Sequence, residues 1–176
     1  GKLPRFKVRY RVYESTGISF LEVKYKTNKN HTVKYRIRNA QTEEYFDSQA
    51  KIFLKDLIPM DPSCLKPLLT TRFIRLTLVG LKTLERITID YDLSFSNDEE
   101  RIIELPFLAI AELKRTGYNN RSPFSQAIKE LSIRQTGFSK YCIGNRLLYD
   151  LPKNNLVKPK LLLINKIKKE FKYDVA

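Results

Sequence analysis

Segment after segment of this chain alternates apolar with charged positions, and the charged ones are mostly Lys and Arg. In Arg5–Tyr13 the odd positions hold Arg5, Lys7, Arg9 and Arg11, and the even ones Phe6, Val8, Tyr10 and Val12. Successive strand side chains point to opposite faces, so this pattern predicts a strand with a row of cations about 6 to 7 Å apart. Such a row suits a polyphosphate. The alternation recurs in Phe20–Lys26, with Glu22, Lys24 and Lys26 opposite Leu21, Val23 and Tyr25, and in Thr32–Arg38, with Lys34, Arg36 and Arg38 opposite Val33, Tyr35 and Ile37. Thr71–Val79 sets Arg75 and Thr77 against Ile74, Leu76 and Leu78. Leu84–Phe95 sets Arg86, Thr88, Asp90 and Asp92 against Ile87, Ile89, Tyr91, Leu93 and Phe95, and Phe107–Arg115 carries Glu112 and Lys114 on one face.

Taken singly, each charged face also fits the solvated side of an antiparallel sheet. Six such strands change the picture, because their apolar faces must be covered. If helices cover them from outside, the charged faces turn inward and line a barrel. The fold class read here is therefore α+β: an antiparallel β-barrel tunnel with a charged interior and helices packed outside. Three helices are predicted. Thr42–Leu57 repeats apolar residues at Phe46, Ala50, Phe53 and Leu57; Ser122–Leu131 opens on a Ser cap with Pro at the first helical position. Pro159–Tyr173 is a basic helix, whose lysines either stay in water while it packs on the domain or meet an anionic surface. Asp61–Pro67 reads as a Pro-bearing turn.

Composition narrows the chemistry. The 176 residues, 42% of them hydrophobic, read as one domain spanning 1–176 with enough apolar surface for a core. A net charge of +14 and a pI near 9.8 point to an anionic partner. Cys64 and Cys142 are far apart and lack metal-ligand spacing, which reads as reduced thiols in a cytoplasmic protein. No signal-peptide pattern is read, and no apolar run approaches the roughly 20 residues of a spanning helix, so membrane association would be peripheral. His31 is the sole histidine, and no Ser/His or Cys/His nucleophile pair presents itself. Few aromatics sit on the basic faces, which ranks nucleic acid below phosphate compounds.

The succession VRYRVY, FLEVKYK, TVKYRIR, RFIRLTLVG, LERITIDYDLSF, AELKR and GFSKYC resembles the vacuolar transporter chaperone (VTC) domain, whose characterised members are polyphosphate polymerases. More broadly it is similar to the triphosphate tunnel metalloenzymes. The resemblance runs from about Arg5 to Gly144. It implies a tunnel threaded by phosphates, with a carboxylate-bound divalent cation, Mn or Mg. Carried over by position, it implies catalytic roles for Arg9, Arg11, Lys24, Arg75, Arg86 and Lys140. It implies phosphate contacts at Lys34 and Lys114 and a metal carboxylate at Glu112, and Arg36, which shares the cationic face of Lys34, is read as a further phosphate contact. Glu22 is expected to orient Lys24, Asp90 to serve structure, and Ser139 to cap or bend the chain ahead of Lys140.

The family pattern begins with a further strand-and-helix region that has no counterpart before Arg5. The expectation is that the domain here is N-terminally incomplete and that residues 1–176 alone turn over little. The leading functional expectation is metal-dependent transfer of the terminal phosphate of ATP to a growing polyphosphate chain. A triphosphatase acting on inorganic or nucleoside triphosphate in the same tunnel, and a non-catalytic polyphosphate-binding module, stay open beside it.

Overall fold

The computed structural model describes residues 5–29, 31–38, 46–81, 84–115, 122–149 and 155–174. Its elements are mixed α and β, and its sheets are antiparallel. The chain falls into two compact units, Gly1–Lys66 and Pro67–Ala176. Among the described residues the strands form two separate sheets, and no closed barrel is found.

The first unit holds β1 (Arg5–Tyr13), β2 (Ile18–Lys26) and β3 (Thr32–Arg38) in the order β1-β2-β3. Helix α1 (Ser48–Lys55) follows. It is shorter than the predicted Thr42–Leu57; Thr42–Tyr45 lie outside the described residues, and the structural reason for the later start is Asp47, whose Oδ1 accepts from the Ala50 amide at 2.7 Å as an N-cap. Ala50 and Leu54 of α1 are fully buried with Leu21 and Val23 of β2, and Phe6, Val8, Tyr10 and Ile37 pack around them. Phe6 stacks on Tyr25 with ring centroids 4.6 Å apart. The apolar face of this sheet is thus the one beneath α1, so strand alternation turns its cationic face away from the helix. The predicted Asp61–Pro67 turn contains a short 3₁₀ turn, Pro62–Cys64, capped by Asp61.

The second unit centres on the 12-residue β5 (Glu85–Ser96). One edge of β5 pairs with β4 (Thr70–Val79); the other pairs end to end with β6 (Ile102–Leu105) and β7 (Ile110–Arg115). Helices α2 (Pro123–Glu130), α3 (Lys140–Leu148) and α4 (Lys158–Asp174) complete it. Ser122 caps α2 as predicted, through its Oγ accepting from the Ser125 amide. The α4 helix keeps close to its predicted span. It buries Ile164 against the core and leaves Lys166, Lys168 and Lys169 exposed.

Two elements were not predicted, β6 and α3. One predicted face is corrected. Between the pairs Arg72↔Ser94 and Ile74↔Tyr91, the single Phe73 stands opposite two residues, Asp92 and Leu93. This is a β-bulge, and Asp92 takes a positive φ of 52° to form it. The extra residue reverses the alternation. Leu93 and Phe95 therefore share a face with Thr88 and Asp90, not with Ile87, Ile89 and Tyr91, and all four of them are buried.

The bulge decides where α3 can sit. Leu93 and Phe95 form a core with Leu105, Leu108, Ile143, Leu148 and Ile164, and α3 lies on that end of the sheet. Gly144 permits the close approach: a Cβ there would stand 2.5 Å from the Phe95 ring and 2.9 Å from Leu69. On the other face, Ile74, Leu76 and Leu78 of β4 stay about half exposed, at 50, 49 and 47%. The expectation that helices cover the apolar faces thus holds for α1 in the first unit, whereas in the second unit the bulge draws α3 to the other side of the sheet.

Candidate functional site

In the first unit, register sorts the cations into rows across the three strands. Lys7, Lys24 and Lys34 stand directly opposite one another, as do Arg9, Glu22 and Arg36, and then Arg11, Phe20 and Arg38. Among the described residues of this face Glu22 is the only carboxylate. It pairs with Arg9 at 2.6 Å and with Arg11 Nε at 3.8 Å. It therefore orients the two arginines and not Lys24, because Arg9 is its cross-strand neighbour. Like charges placed directly opposite repel, so the Lys7–Lys24–Lys34 row costs free energy that a bound anion would recover. Arg36 has a different support: its guanidinium lies 5.0 Å from the centroid of the Phe20 ring, an aromatic that the sequence reading did not assign to the charged face.

In the second unit the organising residue is Asp90, 3% exposed. Arg75, directly across the strand pair, donates from Nε to Oδ1 at 2.5 Å and from Nη2 to Oδ2 at 2.7 Å. The Lys140 ammonium donates to the same carboxylate. Both cations also lie over the Phe73 ring, Arg75 at 5.2 Å and Lys140 at 4.6 Å from its centroid. Burial pushes the Asp90 carboxyl pKa up, but the hydrogen bonds and charges of Arg75 and Lys140 outweigh it and hold the group below the ordinary aspartate value. Asp90 thus stays ionised and fixes two of the predicted catalytic cations side by side.

Lys140 reaches this point because it opens α3. Ser139 is the N-cap, its Oγ accepting from the Cys142 amide at 3.3 Å, which settles the sequence alternative of capping or bending. The helix signal was present in the sequence as Ser139 followed by Ile143, Leu147 and Leu148 on one side, but it lay within a stretch read only as a motif.

The remaining predicted residues occupy the same face of the β4-β5-β7 sheet. Arg86 is in register with Lys114, and Thr88 with both Thr77 and Glu112. Glu112 and Lys114 form an ion pair at 3.3 Å with side chains 54 and 50% exposed. Among the described residues no group of three or more His, Cys, Asp or Glu could hold a metal by itself. The donors present are hard oxygens, with Glu112 the carboxylate still accessible and Asp90 saturated by its two cations. Such a set fits Mn or Mg only if ligand phosphates complete the coordination shell.

The geometry thus groups Arg9, Arg11, Lys24, Lys34 and Arg36 on one charged sheet face, and Arg75, Arg86, Glu112, Lys114 and Lys140 on another. The VTC domain family model matches residues 1–149. The chain belongs to the VTC domain family. No curated protein and no solved structure matches it. Within this VTC domain the match takes in every predicted site residue, from Arg9 to Lys140. No helix among the described residues is long and apolar enough to cross a membrane.

Proposed function

We propose that this VTC domain is a polyphosphate polymerase that transfers the terminal phosphate of ATP to a growing polyphosphate chain. The observation that carries the reading is the pairing of Arg75 and Lys140 on one buried carboxylate, on a sheet face that continues into Arg86, Glu112 and Lys114. Phosphoryl transfer asks a protein chiefly to position the chain and to neutralise charge on the transferring oxygens, which fixed cations do without a side-chain nucleophile. Arg9, Arg11, Lys24, Lys34 and Arg36 would hold further phosphates of the chain, arginines through two donors and lysines as point charges. Glu112 would hold the divalent cation, Mn or Mg, which supplies charge neutralisation between phosphate groups. The tunnel barrel belongs to this proposal: each sheet offers a cationic face of the kind that would line one. The exposed free thiols of Cys64 and Cys142 support a reducing, cytoplasmic setting.

Incubation of the full-length protein with ATP and manganese tests the reading. A polymerase yields a ladder of phosphate chains on a gel with ADP released; orthophosphate and ADP alone mean a triphosphatase, and no turnover with retained polyphosphate binding means a binding module. Arg75→Ala, Arg86→Ala and Lys140→Arg each remove or reshape a proposed phosphate contact and should abolish or cripple the ladder.

A further inference from the structure

At the centre of the second unit's charged face stands a group that the preceding reading does not use. Thr88 lies between Arg86 and Asp90 along β5, and between Thr77 and Glu112 across the sheet. It is 6% exposed, and its Oγ1 has no hydrogen-bond partner among the described residues. A buried hydroxyl without a partner costs about 1–3 kcal/mol, which valine, of nearly the same shape and equally suited to a strand, would not incur. The neighbours do not meet the need. Asp90 is engaged by Arg75 and Lys140, and Glu112 pairs with Lys114.

We propose that the Thr88 hydroxyl is a phosphate-binding donor: it gives its proton in a hydrogen bond to an oxygen of the bound phosphoanhydride chain. Same-face neighbours along a strand are about 7 Å apart and those across it about 5 Å. Thr88 Oγ1 is itself covered, so a phosphate meets it once the exposed side chains flanking it move aside, and Arg86 or Lys114 then neutralises that phosphate. The hydroxyl adds direction where the flanking cations add mainly charge. This inference rests on the proposed phosphate site, and it requires that Thr88 weaken the resting fold while serving the ligand.

The test compares wild type, Thr88→Val and Thr88→Ser by thermal unfolding without ligand and by calorimetric titration with tripolyphosphate in EDTA. Thr88→Val should unfold at the same or a higher temperature than wild type, and its Kd for tripolyphosphate should rise about tenfold or more, the usual loss for a hydrogen bond to a charged partner. Thr88→Ser, which keeps the donor, should bind within about threefold of wild type. Wild-type affinity in Thr88→Val overturns the inference and leaves the phosphate site standing. A destabilised or unfolded Thr88→Val also overturns it, since the hydroxyl then serves the fold. A loss seen only when manganese is added would make Thr88 a metal ligand and overturn the assignment to phosphate. If wild type itself fails to bind tripolyphosphate, the proposed function falls first, and this inference with it.

Discussion

Asp90 and Arg75 face each other across β4 and β5, and the carboxylate takes the arginine's Nε and Nη2 on separate oxygens at 2.5 and 2.7 Å. A two-point contact of this kind fixes the plane of the guanidinium as well as its position. Lys140 shares the carboxylate, so one buried anion sets the geometry of two cations drawn from a strand and from a helix start.

Asp90→Asn should therefore cost about 2 kcal/mol of stability at pH 7, less than the roughly 3–5 kcal/mol for breaking a fully buried pair, because Arg75 remains partly exposed. The sign with pH is set by the lowered carboxyl pKa. A depressed folded-state value means that the stabilisation is fully present above the ordinary aspartate range, about pH 4, and is lost as pH falls through the lower folded-state value. Urea unfolding of both proteins at pH 7 and again near pH 3 checks this. The gap between them should shrink in acid, and a gap that is constant or grows would refute the assignment.

Glu112→Gln keeps the size of the side chain and removes the charge that a divalent cation needs. Phosphate-chain synthesis by the full-length protein from ATP with Mn or Mg should fall by about two orders of magnitude, the scale of losing one transition-state electrostatic contact. Tripolyphosphate binding measured without metal should change by less than about tenfold. An unchanged rate would reduce Glu112 to the partner of Lys114 in a surface ion pair.

The Lys7–Lys24–Lys34 row predicts salt-sensitive binding. Polyphosphate and tripolyphosphate should bind in the micromolar range, weakening as ionic strength rises, and a Lys24→Ala, Lys34→Ala double variant should lose both affinity and part of the salt dependence. Calorimetry at two salt concentrations reads both. Duplex DNA should bind much less well, and equal affinity for it would indicate a general polyanion binder.

Gly144→Ala should destabilise the second unit by about 1–3 kcal/mol, since the added methyl meets the Phe95 ring at 2.5 Å in a closely packed core. Thermal unfolding gives the magnitude. A silent substitution would mean that α3 can move off the sheet at no cost, which would also loosen Lys140.

Strand identity and face were legible in the sequence wherever alternation ran unbroken. Arg5–Tyr13 and Thr32–Arg38 are strands with the expected bounds, and the charged face of the first sheet carries the expected residues, because period-two patterning is a local property. Helix α3 was not recognised because its apolar stripe of Ile143, Leu147 and Leu148 is interrupted by Gly144, a weak helix former, and β6 because four residues show little alternation.

By itself the sequence determined which residues carry charge, which strands present it on one face, and the family to which the chain belongs. Only the tertiary structure decided which charges meet. A bulge at Asp92 reverses the face of Leu93 and Phe95, brings α3 onto that end of the sheet and so delivers Lys140 to Asp90. Register likewise gave Glu22 to Arg9 and Arg11 and left Thr88 without a partner among the described residues. Alternation depends on the next residue but one along the chain; a carboxylate's partner depends on strand register and helix docking, which are set by contacts far apart in sequence.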